Sequence, residues 1–202
     1  FLDMVKSAKR PVIHVGRGIK QGGDKLIKLS KQLQIPLIMD GLAISLIDPN
    51  YEGNLGTANR AASKAADEIL GTADLVLAIG GDFPFANSYY AGHDFKYVQI
   101  DNSKLELGRH HVPDLAIWSD ATSFVEKAIA ASQLVPESAF FKAAVADQKH
   151  WKAYLAQIKA SQNESLSPAQ VYEQVNRIAN QDSIFSIDVG DNIISTFRYL
   201  KR

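Results

Sequence analysis

Two short segments of the chain combine glycine with hydrogen-bonding side chains in a way that suits phosphate binding. They are Gly16-Arg17-Gly18 and Gly56-Thr57-Ala58-Asn59-Arg60. Residues without a Cβ let backbone N–H groups approach a phosphate closely, which the first segment offers. In the second segment Thr57 and Asn59 can form hydrogen bonds, and the guanidinium of Arg60 can bind a diphosphate beside the start of a helix.

Each segment also has an explanation without a ligand. The first does not complete the dinucleotide-binding pattern G-x-G-x-x-G, because its third glycine would stand at position 21, which is Gln. A plain strand-to-helix turn therefore explains Gly16 to Gly18 equally well. For the second segment the alternative is a surface arginine, Arg60, beside a helix-capping Thr57.

Acidic and small residues at other points of the chain follow short apolar runs. These further candidates are Asp40, Gly80, Asp82, Phe83, Asp101, Asn102, Ser103, Asp120 and Ala121. Carboxylates such as Asp101 and Asp120 suit the hydroxyl groups of a ribose or ribityl chain, although either could instead cap a helix. Ser103 to Glu106 also fits a capping box, so a helix start there is an equal alternative.

The apolar runs before these clusters predict five strands. They are residues 11–15, 35–39, 74–79, 97–100 and 115–118. Helical spacing of apolar residues predicts helices after the first strand, near 58–70 and over 121–131, the last capped by Asp120. Continuous apolar strands between helices favour an open parallel α/β sheet with helices on both faces. All five polar clusters would then lie at one edge of the sheet, where a dinucleotide binds.

The pattern of apolar and capping residues in the last third of the chain predicts helices and one strand. Residues 137–158 carry apolar side chains at helical spacing and should pack on a neighbour. Ser167-Pro168-Ala169-Gln170 fits a capping box that starts another helix with an apolar stripe. Residues 183–189 read as a buried strand that reaches the turn Gly190-Asp191, and we expect the start of a truncated second domain there.

Composition argues against several classes of function. The 22 Lys and Arg balance 22 Asp and Glu, so no basic excess is available for a nucleic acid. The longest apolar run, Leu75 to Ile79, is far short of a membrane span. The chain has no cysteine, which suits a reducing compartment and makes the cytoplasm the expected location. The five histidines form no array that predicts a metal site.

Taken in order, the strand-end clusters resemble the middle domain of the thiamine-diphosphate-dependent 2-oxo acid enzymes, and most closely the members that oxidise pyruvate. The segments that carry this resemblance are 8–16, 55–60, 80–86, 99–101 with Gly108-Arg109, 114–121 and 186–191. One departure is Asp101-Asn102-Ser103-Lys104, where the family has Asp-x-Asp-Pro. The resemblance implies a Rossmann-like, DHS-like NAD/FAD-binding domain over 1–135, a helical linker over 136–166 and the truncated start of a thiamine-diphosphate-binding domain over 167–202.

The resemblance also implies cofactors and partners. It assigns the clusters at Gly16 to Gly18, Gly56 to Arg60, Gly80 to Phe83, Asp101 to Ser103 and Asp120-Ala121 to FAD, and Gly190-Asp191 to thiamine diphosphate. Asp40 is a further candidate for cofactor binding. The full-length parent would add Mg²⁺ and two further domains, and would be a homo-oligomer. The resemblance places no catalytic group among residues 1–202, so we expect the fragment alone to be inactive.

Three alternatives stay open at this point. An acetolactate synthase-type member of the same family would hold the flavin without net redox work. A stand-alone NAD-binding module would place Asp40 on the adenosine ribose, 24 residues after Gly16. A structural domain that binds no ligand is the third, and the number of polar strand ends argues against it.

Overall fold

A six-stranded, all-parallel sheet forms the centre of the computed structural model, which describes residues 1–20, 22–58, 63–81, 94–160, 166–180 and 182–201. The strands are β1 (Pro11–Val15), β2 (Leu37–Met39), β3 (Asn54–Thr57), β4 (Leu75–Ile79), β5 (Lys96–Asp101) and β6 (Leu115–Trp118). The predicted open α/β sheet is confirmed.

Seven helices occur in the described part of the chain, besides a 3-10 turn over Gly41–Ala43. They are α1 (Leu2–Ser7), α2 (Gly23–Leu33), α3 (Lys64–Thr72), α4 (Ala121–Ala131), α5 (Ala139–Ala160), α6 (Pro168–Ile178) and α7 (Asp191–Tyr199). The predicted caps are confirmed at two of them. Asp120 accepts a hydrogen bond from the Ser123 N–H at the start of α4, and Ser167 and Gln170 form a reciprocal capping box at α6.

The strand order is β3-β2-β1-β4-β5-β6, so the chain starts in the middle of the sheet, moves to one side and then returns to fill the other. β1 pairs with β4 in unbroken register from Pro11 opposite Leu75 to Val15 opposite Ile79. This order is that of doubly wound dinucleotide-binding folds, in which the connections diverge between the two central strands and leave a crevice at their carboxyl ends.

The middle of the sheet is covered on both faces, which explains why β2 and β4 are apolar and buried along their whole length. On one face Ile13, Val15 and Leu77 belong to a core that includes residues of α2 and α4. On the other face Val12, Ile38 and Val76 belong to a core with residues of α3 and α5. Parallel strands must bury both faces in this way, so alternation of polar and apolar residues is absent from β1 and β4.

Four sequence-based predictions were wrong in detail. β3 was not predicted as a strand, because it is short, contains Gly56 and gains its strand geometry from pairing with β2 across an irregular register. The helix predicted near residue 58 begins only at Lys64, where Ser63 rather than Thr57 is the N-cap. The capping-box pattern at Ser103 to Glu106 forms a turn, closed by a hydrogen bond from the Glu106 N–H to the Ser103 carbonyl.

The fourth error concerns residues 183–188, which form no strand. A strand exists only through hydrogen bonds to a neighbour, and no described strand pairs with this segment. Its side chains alternate between exposed and half-buried, and Ile184 is 96% exposed. The apolar stripe of α6 is likewise open to solvent, since Ile178 is 83% exposed.

Candidate functional site

The central turns of the sheet, after β1 and β4, pack against each other through their backbones. The Gly16 N–H donates to the Ile79 carbonyl at 3.0 Å, and the Gly18 N–H donates to the Gly80 carbonyl at 2.7 Å. Gly80 has φ +63°, a conformation that favours glycine. The glycines therefore serve first to let the two turns interlock, and the N–H groups of Gly16 and Gly18 are already used within the fold.

Arg17, in the same turn, is exposed at the carboxyl edge of the sheet. Asp40 lies at the same edge after β2, where it precedes the 3-10 turn; its N–H donates to the Val15 carbonyl at 2.8 Å. Asp40 is half-buried. Both side chains thus lie beside the crevice that the strand order creates.

The end of β3 and the residue after it are held by hydrogen bonds to Asn54 and Ser63. The Gly56 N–H donates to Asn54 Oδ1 at 2.9 Å, and the Ser63 N–H donates to the Thr57 carbonyl at 3.0 Å. Thr57 and Ala58 are buried, while Gly56 has φ +87° and lies close to Ser63. Four of the predicted site residues, Asn59, Arg60, Asp82 and Phe83, lie outside the described residues.

The ends of β5 and β6 bring acidic and aromatic side chains together. Asp101 and Trp118 are register partners, and the Trp118 Nε1–H donates to the Asn102 carbonyl at 3.0 Å. Asp101 is 9% exposed, and its Oδ1 accepts a hydrogen bond from the Ser103 N–H at 2.7 Å. Trp118 is 62% exposed, with Lys104 Nζ 3.9 Å from its ring centroid. A flat, exposed ring therefore stands next to a carboxylate with remaining acceptor capacity.

Asp120 and Ala121 follow β6 at the start of α4. Asp120 is exposed, and the hydrogen bond from the Ser123 N–H to its Oδ1, 2.8 Å long, holds the pKa of its carboxyl below the usual value. Ala121 is buried beneath it. Of the two roles considered for the acidic strand ends, Asp120 caps a helix, whereas Asp101 closes a tight turn.

Gly190 and Asp191, the last two predicted site residues, do not follow a strand but stand at the start of the last helix, α7. Gly190 has φ +105° and is the N-cap of α7, and both residues are exposed. The other end of α7 does reach the sheet edge, because Phe197 lies against Gly41, where an added Cβ would come within 2.8 Å of its ring. A cavity of about 630 Å³ lies between Thr57 on the sheet edge and residues of α5 and α7.

Three residues with a direct bearing on this site were missed from the sequence. Asn54, Ser63 and Gln148 are all buried, and Gln148 reaches from α5 to both of the others. The missed signal for Gln148 is its position, because it continues the apolar helical stripe of Phe141, Val145 and Leu155. A glutamine at a core position of a helix indicates a buried polar partner.

The residues at the sheet edge include the types of group that a dinucleotide ligand would need. Such a ligand needs acceptors for hydroxyl groups, cations for phosphates and a flat surface for a ring, and the edge offers Asp101 and Asp40, Arg17 and Trp118. In the part of the chain that the structure covers, no three His, Asp or Glu side chains come together as a metal centre would need. No described helix is long and apolar enough to cross a bilayer.

Comparison with known proteins adds independent information. The family model described as the thiamine pyrophosphate enzyme, central domain, matches residues 1–128. The pyruvate oxidase of Lactiplantibacillus plantarum is 38% identical over 196 residues, which is 96% of this chain and 32% of that protein. The large subunit of acetolactate synthase isozyme 1 of Escherichia coli is 22% identical over 94% of this chain and 34% of its own length.

A third relative matches over a shorter region. The 3D-(3,5/4)-trihydroxycyclohexane-1,2-dione hydrolase of Bacillus subtilis is 33% identical over 110 residues, or 52% of this chain and 17% of its own length. The chain spans about a third of the length of the first two relatives. Because the family model covers well over half of the chain, the chain belongs to the thiamine pyrophosphate enzyme family and contains its central domain.

Proposed function

We propose that this chain is the FAD-binding central domain of a pyruvate oxidase. The observation that carries the proposal is the 38% identity to a pyruvate oxidase, which extends along 96% of this chain. The full-length parent would convert pyruvate, phosphate and O₂ into acetyl phosphate, CO₂ and H₂O₂. FAD, when bound, would supply the two-electron chemistry, and the protein would supply its position.

The sheet edge supports the flavin assignment through its chemistry. Asp101 has one carboxylate oxygen bonded to the Ser103 N–H and retains acceptor capacity for a hydroxyl group of the ribityl or ribose chain. Asp120 would act similarly beside Ala121, and Trp118 offers a ring face at the same edge. Asp40 and Arg17 would lie on the other side of the central crevice.

The end of β3 and the residues that follow it, 56–60, are proposed to bind the diphosphate. Gly56, Thr57 and Ala58 would present the backbone, and Asn59 and Arg60 would supply side chains to the phosphate oxygens. Gly80, Asp82 and Phe83, after β4, would border the same ligand. The turn of Gly16 and Gly18 would set the depth of the crevice, because its own N–H groups are bonded to β4 and its turn.

Thiamine diphosphate and Mg²⁺ belong to the proposed parent enzyme. The proposed boundaries are 1–135 for the FAD domain, 136–166 for a helical linker and 167–202 for the start of the thiamine-diphosphate-binding domain, where Gly190 and Asp191 would contact the cofactor. The linker helix α5 packs on the sheet, with Phe141 and Ala144 buried. We also propose a homo-oligomeric parent in the cytoplasm, since a chain without cysteine suits a reducing compartment.

An acetolactate synthase-type parent is the second candidate. The relative from Escherichia coli supports it, at a lower identity of 22%. Both candidates predict FAD at the same edge, so binding alone does not separate them. Reduction of the flavin by pyruvate in the full-length protein would separate them, because only the oxidase requires net electron transfer to the flavin.

The test of the proposed function is a titration of the chain with FAD, FMN and NAD. Calorimetry measures the affinity for all three ligands, and flavin fluorescence measures it independently for FAD and FMN. FAD should bind most tightly, and Asp101→Asn should weaken FAD binding by about 3- to 10-fold through loss of a charged acceptor. Asp74→Asn is the matched control, because Asp74 accepts the N–H groups of Lys9 and Arg10 just before β4, at the opposite edge. Tighter binding of NAD, or equal losses in both variants, would overturn the proposal.

A further inference from the structure

We infer that Gln148 is a positioning residue for the proposed diphosphate-binding segment: from α5 it binds Asn54 and Ser63, the two residues that hold Gly56 and Thr57 in place. The inference rests on the proposed function, and it adds a residue outside the 1–128 region that the family model matches. Gln148 is not itself expected to contact the ligand. It would act by holding the backbone around Gly56 and Thr57 in one conformation.

Gln148 is buried, with 6% of its surface exposed, and both ends of its amide have partners. Its Nε2 donates to the Asn54 carbonyl at 3.0 Å. Its Oε1 accepts a hydrogen bond from the Ser63 hydroxyl at 3.2 Å. Asn54 and Ser63 are nine positions apart in the chain, so a single side chain ties together the start and the end of the segment between them.

Asn54 and Ser63, the two partners of Gln148, also form hydrogen bonds with Gly56 and Thr57. The side chain of Asn54 accepts a hydrogen bond from the Gly56 N–H at 2.9 Å, and the Ser63 N–H donates to the Thr57 carbonyl at 3.0 Å. The four hydrogen bonds therefore link Gln148, Asn54, Gly56-Thr57 at the end of β3, and Ser63 in a closed circuit. Loss of Gln148 would open that circuit at two points.

The cost of burying an amide indicates that Gln148 positions its partners and does not merely fill space. An apolar side chain would fill this helical stripe position at no polar cost, as Val145 and Leu155 do on either side. A buried amide is tolerated only where its donors and acceptors are satisfied, because an unpaired buried polar group is unfavourable. Gln148 meets that condition only while Asn54 and Ser63 hold their observed spacing, so it selects that spacing.

Ser63 connects the circuit to α3 as well. Its Oγ accepts a hydrogen bond from the Ala66 N–H at 3.4 Å as the N-cap of the helix, while its O–H donates to Gln148. The orientation of the first turn of α3 is thereby coupled to the position of α5. This matters for the proposed ligand, because Arg60 stands four residues before Lys64, the first residue of this helix, in the sequence.

The experiment compares three variants of the full chain in their affinity for FAD and for FMN. Gln148→Met keeps the volume and removes both hydrogen bonds, and Gln148→Asn keeps an amide that is one methylene too short to reach both partners. Gln32→Met is the matched control. Gln32 also joins two elements through its side-chain amide, which donates to the carbonyls of Ile129 and Ser132 near the C-terminal ends of α2 and α4.

Both Gln148 variants should weaken FAD binding by about 5- to 10-fold, and FMN binding by less, because FMN lacks the diphosphate. Gln32→Met should leave the affinities for FAD and FMN unchanged, even if it lowers the midpoint of unfolding as much as the Gln148 variants do. Affinities are measured without denaturant, at a temperature where circular dichroism shows each chain to be folded, so a general loss of stability does not mimic the effect. A combined Gln148→Met and Ser63→Ala variant should lose less FAD affinity than the two single losses multiplied together, since both act on one circuit.

Unchanged FAD affinity in either folded Gln148 variant, or equal losses for FAD and FMN, would overturn the positioning role while leaving the proposed function intact. Failure of the unmodified chain to bind FAD is a different result. It would overturn the proposed function, and the positioning role with it.

Discussion

Gly16 and Gly81 lie backbone against backbone at the centre of the sheet, where a Cβ added to Gly16 would stand 2.1 Å from the Gly81 Cα. No side-chain movement can relieve such a contact, because the neighbouring atoms belong to the main chain. The turn after β1 is therefore locked to the turn after β4. The close contact of these two turns at the strand ends therefore depends on the absence of a Cβ at Gly16.

The first prediction follows from this contact. Gly16→Ala should destabilise the fold by about 3 kcal/mol or more, because the turns must separate and distort β1 or β4. Gly22→Ala is the control, since its Cβ would meet side-chain atoms and no main-chain atom: Ile19 Cδ1 at 3.0 Å, Ile19 Cγ1 at 3.1 Å and Thr122 Oγ1 at 3.9 Å. Its effect should stay within about 1 kcal/mol. Urea unfolding followed by circular dichroism measures both, and equal midpoints for the two variants would contradict the locked-turn interpretation.

The parts of the fold that the sequence predicted correctly depend on strong local or periodic signals. β4 is a continuous apolar run, β1 is apolar except for His14, and a glycine follows each of them. The caps Asp120 and Ser167 stand immediately before the first residues of their helices. These patterns act over a few residues and need no knowledge of the rest of the molecule. The polar clusters that follow five of the strands could be placed at one edge for the same reason, once the strands were taken as parallel.

The parts that were missed depend on distant partners. β3 is a strand because β2 pairs with it, and nothing in Asn54-Leu55-Gly56-Thr57 alone favours a strand. Gln148 lies 94 residues from Asn54, whose carbonyl it binds. The strand prediction for residues 183–188 was wrong for the opposite reason: the composition suits a strand, but no described strand pairs with this segment. Long-range pairing decides all three cases, and local sequence does not encode it.

The second prediction separates the two roles considered for Asp120. Asp120→Ala should cost about 1 kcal/mol through loss of the N-cap of α4, whereas Asp120→Asn should keep the cap and cost little. If Asp120 also binds a ligand hydroxyl, Asp120→Asn should still weaken FAD binding. The lowered pKa of this carboxyl means that its contribution to stability is present above the ordinary pKa of Asp and is lost as the pH falls through the lowered value. Asp120→Asn should remove that acid-dependent part, and an unchanged acid profile would argue against the cap as its source.

The third prediction concerns Arg60, which lies outside the described residues and is argued from the sequence and the family resemblance. Arg60→Ala should weaken FAD binding by about 10- to 150-fold, the value of a charge-assisted hydrogen bond, and FMN binding by less. Arg10→Ala is the control, because Arg10 donates from Nε to the Thr72 carbonyl just before the amino ends of β1 and β4. Equal losses for the two flavins would mean that Arg60 organises the loop rather than the diphosphate.

The fourth prediction concerns the segment before α7. Residues 184–188 have no strand partner among the described residues, so their amides should exchange with solvent within seconds at neutral pH, as open backbone does. Amides of β1 and β4 in the same sample should be protected for far longer. Hydrogen exchange read by mass spectrometry gives both values. Strong protection of Ile184 to Ile187 in a verified monomer would show that this segment is paired after all.

The fifth prediction uses His14, on β1 at the centre of the sheet. His14 is 1% exposed, and burial lowers its pKa to about 3, so the folded protein keeps this ring neutral at every pH from about 4 upward. The unfolded chain takes up the proton at its ordinary pKa of about 6.5. Because the unfolded state then binds more protons than the folded state, stability falls as the pH drops below about 6.5 and is fully present above it.

The expected slope is up to about 1.4 kcal/mol for each pH unit between about pH 6 and the lowered pKa. Urea midpoints at about pH 7.5, 6.5, 5.5 and 5.0 measure it in a range where most carboxylates stay ionised. His14→Gln should flatten the profile, and His150→Gln, at an exposed position on α5, should not. The ring C–H signals of His14 should stay constant over the same pH range in the folded protein, a result that needs no variant. A titration of those signals near the ordinary pKa of histidine would show that the ring accepts its proton inside the fold, and the acid sensitivity would then have to arise from other groups.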